Sequence, residues 1–423
     1  MVEQLAPVLA AEDARELQPD LFGRALVAPD SLVRRIAALG AGRIGDLRAT
    51  PMILPLLTDP DTTVRVAAAF ALGLLRDTAA VQPLIDRLTG LPALDATTAL
   101  EAVTALAKIG GRRAGEFFGG VLAGRVALSQ EDRTAARDQV LAEAWRLNAD
   151  APITGLLPFM DDTSSGPRLR AVYSLGRLRA PAAGNRMLLV LRDPEAYIRS
   201  IAARALTRSY VDSAKLAPSA VADLLVRAAE DPSPQVRINA IRSLAGFRDS
   251  TLSPKLVPML DDQLAGVQVT AAETLGGLGG AEAVRGLTRA AAGKGVFAVR
   301  RAALLSLARV DTAAFVTAAA RWRTSVDWRE RAAVGEGEAL IARPTAALLA
   351  DKDSRVVAAT LQAWSAEVNG PDPMLLAAAR PLLAHRDAAV RSVAGDIVAR
   401  AADPADLTSL MRMYAATRRD SFP

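Results

Sequence analysis

Apolar and polar positions follow a fixed pattern between Asp59 and Leu75, where the chain reads DPDTTVRVAAAFALGLL. Counted from Arg65, small residues follow at the third and sixth positions, leucine at the seventh and glycine at the eighth. The third, sixth and seventh positions share one face of an α-helix, so the segment predicts a helix whose small side chains admit a close neighbour. The glycine is predicted to end or loosen that helix.

The same register recurs along nearly the whole chain, with successive markers 26 to 38 residues apart. A second apolar stretch precedes each predicted helix, for example MILPLL at 52–57, so each unit predicts a helix, a turn and a helix. Repeated helix pairs of this period are typical of solenoids, in which each unit packs on its neighbours. The twelve marker positions are Arg34, Arg65, Ala99, Arg137, Arg168, Arg199, Arg237, Gln268, Arg300, Arg329, Arg355 and Arg391.

Acids and prolines repeat in the same register. An aspartate often lies six residues before the marker, in the predicted turn, where it can cap the following helix. A proline lies ten residues before the marker in several units, for example Pro55 and Pro158, and is expected to bend the first helix. We predict that marker arginines pair with turn aspartates of their own or the next unit. The predicted members of this structural ladder include Asp59, Arg65, Asp193, Arg199, Asp231 and Arg237.

The combination of a proline-containing helix, an Asp-Pro turn, Val-Arg and Ala-Leu-Gly closely resembles HEAT repeats, especially the bacterial phycobilisome-lyase-type HEAT-like repeats. The resemblance extends from about residue 20 to about residue 400. It implies an all-α fold, a right-handed α-solenoid of about twelve helix pairs, with second helices on the concave face. Residues 1–20 are predicted to form an N-terminal capping segment, 21–400 the solenoid, and 401–423 a C-terminal helix or the start of a truncated repeat.

Composition excludes several kinds of chemistry. The 423 residues carry a formal net charge of +5, no cysteine and one histidine, so disulfides, thiolate catalysis and cysteine-based metal sites are excluded. His385 lies at the turn position where other units have aspartate, which favours a capping role over catalysis. No convergent catalytic set, metal site or cofactor site is predicted. No apolar run is long enough to span a membrane, and the sequence does not distinguish a cytoplasmic from an exported protein.

Two segments are strongly basic. Residues 163–215 and 285–331 each hold ten Lys or Arg against three acids. The second includes RWRTSVDWRER at 321–331, where tryptophan and arginine interleave as they often do in binding hot spots. The candidate partner-binding residues are Arg321, Trp322, Arg323, Trp328, Arg329 and Arg331. The alternative is a solvated outer face with its tryptophans in the core.

A large repeated surface without a catalytic constellation indicates a non-enzymatic scaffold that binds a protein partner on its concave face. Two alternatives remain open. The LAAEDAR opening at 9–15 is similar to bacterial HEAT arrays that precede a cyclophilin-type peptidyl-prolyl isomerase domain, which would make this chain the repeat region of a longer enzyme. Alternatively, the basic segments bind nucleic acid or another acidic partner, with steep salt dependence. The oligomeric state cannot be predicted from these features.

Overall fold

The computed structural model describes residues 2–128, 133–342, 346–368, 370 and 372–421. These residues form α-helices and short 3-10 helices, with no β-strand among them. They fall into two compact units. Unit 1 comprises residues up to 206 together with 210–217, and unit 2 comprises 207–209 and the residues from 218 onwards. None of the helices in the described ranges is both long and apolar enough to cross a membrane.

Helices α1 to α14 lie before residue 214. They are α1 (Val2–Asp13), α2 (Pro19–Ala25), α3 (Ser31–Ile44), α4 (Thr50–Ile53), α5 (Thr62–Leu75), α6 (Val81–Thr89), α7 (Ala96–Ile109), α8 (Arg112–Leu122), α9 (Arg133–Glu143), α10 (Ile153–Leu156), α11 (Ser165–Leu178), α12 (Gly184–Val190), α13 (Ala196–Ala205) and α14 (Arg208–Ser213). The 3-10 helices of this part are Leu47–Ala49, Leu54–Thr58, Thr78–Ala80, Ala144–Asp150, Leu157–Asp161 and Pro181–Ala183.

The remaining helices belong to unit 2. They are α15 (Pro218–Ala228), α16 (Pro234–Leu244), α17 (Ser253–Leu256), α18 (Ala265–Leu278), α19 (Ala281–Ala292), α20 (Phe297–Val310), α21 (Thr312–Arg323), α22 (Trp328–Leu340), α23 (Ala346–Leu349), α24 (Ser354–Glu367), α25 (Pro373–Leu382), α26 (Ala388–Arg400) and α27 (Leu407–Ser421). Short 3-10 helices occupy Ala245–Phe247, Ser250–Leu252, Val257–Asp261 and Pro404–Asp406.

The second helices of the repeats form a continuous layer inside each compact unit. In unit 1, α3, α5, α7, α9, α11 and α13 each pack on the next. In unit 2, α16, α18, α20, α22, α24 and α26 do the same. The predicted all-α solenoid of helix pairs is therefore confirmed. We call the solvent-facing side of the layer formed by α3, α5, α7, α9, α11 and α13 the second-helix face of unit 1.

Three of the repeated prolines lie where the first helix changes from α to 3-10 geometry, whereas Pro381 lies inside α25. Helix α4 ends at Ile53, and Pro55 lies in the 3-10 helix that follows it. Pro158 and Pro258 occupy the same place after α10 and α17. A proline lacks the N–H that an α-helix needs and its ring obstructs the carbonyl four residues earlier, so the last turn tightens. The predicted bend thus takes the form of a 3-10 turn that leads into the aspartate.

The glycine at the eighth position does not end the helix, so that prediction was wrong. Helix α5 continues past Gly73 to Leu75 and ends at Arg76, which adopts a left-handed conformation with φ of 55°. The glycine instead permits close packing of consecutive second helices. A Cβ added at Gly42 would lie 2.7 Å from the Cα of Ala71, and one added at Gly73 would lie 3.0 Å from the Cα of Ala105.

In the regular repeats, the marker arginine connects two turns. Its Nη1 donates to carbonyl oxygens in the turn before its own helix, and Nε and Nη2 reach the carboxylate of the next unit. In Arg34, Nε and Nη2 donate to the two Asp59 oxygens at 2.7 and 2.8 Å, while Nη1 donates to the carbonyl of Ala28 at 2.8 Å. The same carboxylate position is filled by Asp95 for Arg65, Asp193 for Arg168, Asp262 for Arg237 and Asp351 for Arg331.

The residues predicted for the ladder occupy both kinds of position. Arg65, Arg199 and Arg237 donate to the main-chain carbonyls of Asp59, Asp193 and Asp231, at 2.6, 2.8 and 3.0 Å. Within one unit the contact is therefore to the carbonyl of the turn aspartate. The carboxylates of Asp59 and Asp193 accept instead from the arginine of the preceding unit. A single aspartate thus serves two successive arginines with different oxygens.

Two marker positions were assigned two residues too early. Arg331, and not Arg329, donates to the carbonyl of Ser325 at 2.7 Å and to Asp351 at 2.7 Å. Arg329 is exposed and reaches only Asp327, at 3.6 Å. In the following unit Arg355 is exposed and pairs with Asp353, while the residue six positions after Asp351 is the buried Val357. Both errors arose because arginines occur at neighbouring positions in these units.

Two ladder carboxylates, those of Asp59 and Asp351, have lowered pKa values that favour their charged form. The hydrogen bond from Arg331 lowers the pKa of Asp351 below its ordinary value, against the opposing effect of burial. For Asp59 burial acts to raise the pKa, but hydrogen bonds from Arg34 and from the Asp61 N–H outweigh it, so the pKa is again lowered. A lowered carboxyl pKa means that the contact stabilises the folded state above about pH 4 and is lost on acidification.

Adjacent glycines in α18 test the close-packing role. A Cβ at Gly276 would lie 2.8 Å from the Cβ of Ser306, whereas at Gly277 the nearest atom is a carbonyl oxygen at 3.9 Å. We expect Gly276→Ala to destabilise the protein by about 1 kcal/mol, since steric overlap outweighs the gain in helix propensity. Gly277→Ala should stabilise it by roughly 0.5–1 kcal/mol. Urea unfolding monitored by circular dichroism measures both, and shifts of the same sign would contradict the packing role.

Arg329 and Arg331, two residues apart on α22, allow the contribution of the ladder to stability to be measured. Arg331→Met should cost about 3 kcal/mol of unfolding free energy, because it leaves the Asp351 carboxylate and the Ser325 carbonyl without their donor in a mostly buried site. Arg329→Met, on the same helix but exposed, is the matched control and should change stability by less than about 0.5 kcal/mol. Equal losses in chemical denaturation would show that the contact does not carry this stability.

Candidate functional site

Two of the six predicted binding residues in 321–331 lie in the core. Trp322 is 1% exposed, with its ring centroid 6.2 Å from that of Phe297 and the guanidinium of Arg300 at 5.3 Å. Arg331 is 5% exposed and belongs to the ladder. Neither side chain is presented to a partner in this arrangement.

The other four residues lie nearer the surface but have partners of their own. Arg323 forms an ion pair with Glu338, and exposed Arg321 donates to the carbonyl of Ala291 at 2.6 Å. The half-buried ring of Trp328 lies 4.2 Å from the guanidinium carbon of Arg355. Exposed Arg329 has the Asp327 contact given above. The alternation of tryptophan and arginine in this segment thus divides between core, ion pairs and surface.

The partner of Arg323 occupies an unusual place. Glu338 is 1% exposed and lies seven residues after the ladder arginine Arg331, a position that is apolar in the other second helices, for example Leu72 and Leu175. A carboxylate in such a position needs a charged partner, because burial of an unpaired charge is very costly. Arg323 supplies that partner, which gives it a structural role.

The first basic segment contains a different arrangement. Arg168 and Arg199 belong to the ladder, but Arg177, in the last turn of α11, is exposed. The guanidinium carbon of Arg177 lies 3.9 Å from the centroid of the Trp145 ring and 5.9 Å from that of Tyr173. Both distances are within the range of cation–π contacts.

These residues belong to a group that extends over four successive repeats. Arg146 also lies against Trp145, at 4.4 Å, and Lys108 lies over the Phe70 ring, at 4.7 Å. The aromatic rings are half-buried, so each shows part of its surface on the second-helix face of unit 1. We define the aromatic–cation row as Phe70 on α5, Lys108 on α7, Trp145 and Arg146 just after α9, and Tyr173 and Arg177 on α11.

Trp145 departs from the repeat at a decisive position. It is the eighth residue after Arg137, where the other second helices have glycine, alanine, serine or threonine. Gly73 and Gly176 show what the position normally does: each meets an alanine of the following second helix. A tryptophan there cannot pack in the same way, and its ring emerges beside Arg146 and Arg177.

A cavity of about 460 Å³ lies next to Trp145. Its lining is mixed, with apolar surface from Ala107, Ile109 and Leu147, cationic groups from Arg76, Lys108 and Arg146, and the acid Asp150. Asn148, which also lines it, has φ of 50° and ψ of −116°, a combination that non-glycine residues rarely adopt. The cavity therefore joins the aromatic–cation row at the end of α7 and at the 3-10 helix after α9.

Acids partly neutralise the row. Lys108 lies 3.5 Å from Glu101, and Arg146 pairs with Glu143. Burial raises the pKa of the Glu101 carboxyl above its ordinary value; the charge of Lys108 acts to lower it and the charge of Glu143 to raise it. The row is thus a set of oriented aromatic and cationic groups with a reduced local charge.

The arrangement provides recognition groups and no acid–base pair. His385 lies in unit 2, where its Nδ1 accepts a hydrogen bond from the Asp387 N–H at 3.0 Å and so caps the turn, as its position in the repeat predicts. In the ranges that the structure describes, no group of three or more His, Asp or Glu side chains could hold a metal ion. Aromatic and guanidinium surfaces contribute most to contacts with another molecule.

The raised pKa of Glu101 gives a pH-dependent prediction. A carboxyl whose folded pKa is raised destabilises the folded state where it is charged, so stability increases as pH falls towards that pKa. Glu101→Gln should raise the melting temperature at pH 7, and the gain should disappear near pH 4, where both states of the wild-type group become protonated. Glu116→Gln, at an exposed position, is the control with little effect. A loss of stability in Glu101→Gln at pH 7 would contradict the assignment.

Comparison with protein families identifies the repeats. HEAT repeats match residues 19–103, 187–267 and 221–308. The chain belongs to the HEAT-repeat family. The matched ranges contain the ladder arginines Arg34, Arg65, Arg199 and Arg237, whereas α9, Trp145 and α11 lie between the matched ranges. A comparison with curated proteins by sequence finds no significant match.

Several solved structures are similar to this HEAT-repeat chain. The structure of Kap95p with RanGDP is 12% identical with a TM-score of 0.52, over 94% of this chain and 61% of that chain. An engineered protein is 18% identical with a TM-score of 0.43, over 90% of this chain and 98% of that chain. The CpcE–CpcF complex of phycocyanin lyase from Nostoc sp. PCC7120 is 19% identical with a TM-score of 0.33, over 56% and 92%.

Sequence reasoning missed the centre of the row. Trp145 was not singled out because it lies in an irregular repeat, away from the two strongly basic segments. The available signal was its register: a tryptophan eight residues after Arg137, where small residues recur, cannot make the usual close helix contact. Arg177 lay within the basic segment 163–215, but nothing in that segment distinguished it from the ladder arginines.

Proposed function

We propose that this chain is a non-enzymatic scaffold that binds a protein partner on the second-helix face of unit 1, through the aromatic–cation row. The observation that carries the proposal is the cluster of Trp145, Tyr173 and Arg177, in which an exposed guanidinium lies over the half-buried Trp145 ring and near the half-buried Tyr173 ring. Tryptophan, tyrosine and arginine are the residue types most enriched among binding hot spots.

The rigidity of the row supports this proposal. Its residues lie on α5, α7, α11 and the 3-10 helix after α9, and the ring contacts restrict the cations, so little side-chain freedom remains to be lost when a partner binds. Kap95p, a protein of similar fold, binds RanGDP. A protein partner also suits the mixture of half-buried rings, a cavity and paired charges better than a purely electrostatic ligand does.

The earlier candidate surface in 321–331 is less suited to partner binding. Trp322 and Arg331 are buried, and Arg323 is bound to Glu338. Half-buried Trp328 lies against Arg355, but the charge of that arginine is paired with Asp353. We therefore place the proposed partner site in unit 1.

Exposed arginines of unit 1 provide the test. The full chain and its variants are tagged, expressed in cells of the native source and purified, and the bound proteins are quantified by mass spectrometry. We expect a partner that the wild type retains in near-stoichiometric amount to be lost from Arg177→Glu, because the substitution reverses the charge at the centre of the row.

Arg192→Glu is the matched control, since Arg192 is also exposed in unit 1 but lies outside the row. This variant should retain the partner. Equal retention by both variants, or a turnover activity of the purified chain that does not need a partner, would refute the proposal. Circular dichroism melting curves of the two variants check that each remains folded.

A further inference from the structure

The charge of Arg177 differs from that of the other cations in the row. Lys108 has Glu101 nearby and Arg146 has Glu143, but in the part of the chain that the structure describes no carboxylate lies within ion-pair distance of Arg177. Its recorded side-chain contacts are to the rings of Trp145 and Tyr173. The row thus contains one uncompensated cation, next to its largest aromatic ring.

Stacking prepares this guanidinium for a planar acceptor. A guanidinium carbon 3.9 Å from a ring centroid is typical of face-on stacking, an orientation that leaves the N–H groups, which point outwards in the guanidinium plane, available to donate to a ligand. A carboxylate matches two of these N–H groups in a bidentate pair. Because the rings already restrict the side chain, less conformational entropy is lost on binding than for a free surface arginine.

Trp145 lines the cavity and also contacts Arg177. Arg177 lies on α11, whereas the cavity is lined by the end of α7 and the 3-10 helix after α9, so we take one packed-helix spacing as the distance between the cavity and this cation. Neighbouring packed helices are roughly 8–10 Å apart. An extended peptide advances about 3.3 Å per residue, so about three residues cover that distance. The volume of about 460 Å³ is ample for a large apolar side chain.

We infer that the aromatic–cation row recognises an extended peptide segment of the partner that carries an acidic residue and, about three residues away, a large apolar residue. The carboxylate binds Arg177, and the apolar side chain enters the cavity beside Trp145. This inference rests on the proposed function and adds the chemistry of the recognised segment.

The local charge favours a peptide over a nucleic acid. A phosphate backbone gains affinity by neutralising several cations at once. Here Glu101 and Glu143 already compensate two of the three cations in the row, and their carboxylates would repel closely spaced phosphates. A single carboxylate between apolar residues meets one free cation and avoids both acids.

A synthetic library of randomised decapeptides, screened against the immobilised full chain, tests the inference. We expect enrichment of Asp or Glu at one position and of Leu, Met, Phe or Trp about three positions away. Affinities of selected peptides are then measured by calorimetry for the wild type, Arg177→Gln and the control Arg192→Gln. Arg177→Gln should weaken binding of the acidic peptide at least tenfold, and Arg192→Gln should not.

The decisive comparison replaces the peptide's acid by its amide. That change should weaken binding to the wild type but hardly affect binding to Arg177→Gln, because the amide removes an interaction that the variant already lacks. No enriched acid, an acid preference that persists in Arg177→Gln, or stronger binding of single-stranded oligothymidine than of any peptide would overturn the inference. A native partner that is lost from Arg177→Glu but contains no such segment would overturn it while leaving the scaffold proposal in place.

Discussion

The architecture depends on a guanidinium held between two turns. Each ladder arginine donates to the carbonyls of its own turn and to the carboxylate of the next, as Arg34 does with Ala28 and Asp59. The first contact orients the helix on its turn, and the second fixes the next repeat in register. Because one aspartate accepts from two successive arginines, through its carboxylate and its main-chain carbonyl, a change at one turn affects two neighbouring repeats. Glycines such as Gly42 then allow the aligned helices to approach closely.

Against this regular background, departures from the repeat indicate special roles. Glu338 replaces a core apolar residue and requires Arg323, so its departure is satisfied inside the protein. Trp145 replaces a small packing residue and brings aromatic surface to the second-helix face, so its departure is directed outwards. The two cases show why a chemically unusual residue has to be placed in three dimensions before it is assigned to a surface.

The sequence predicts the helix pairs, the solenoid and the repeat register well, because spacing alone determines which positions meet. It predicts local alternatives poorly. Arg329 and Arg331 are both arginines near a turn, and only the geometry of Ser325 and Asp351 distinguishes them. Gly73 looks like a helix terminator in one dimension, but its close contact with Ala105 becomes visible only when two helices are packed. By residue type, Trp322 and Trp145 are equally plausible partner-binding residues, yet Trp322 is in the core and Trp145 is partly exposed.

Trp145 also has a consequence for protein engineering. A consensus sequence averaged over the twelve units would place a small residue at its position, because small residues dominate there. Such an idealised array would keep the ladder and the close helix contacts, and would be expected to fold well. It would also lack the tryptophan ring that the natural chain places beside Arg146 and Arg177. In this protein, the contacts that the repeats share therefore provide stability, whereas the departure of one repeat at Trp145 provides the proposed recognition surface.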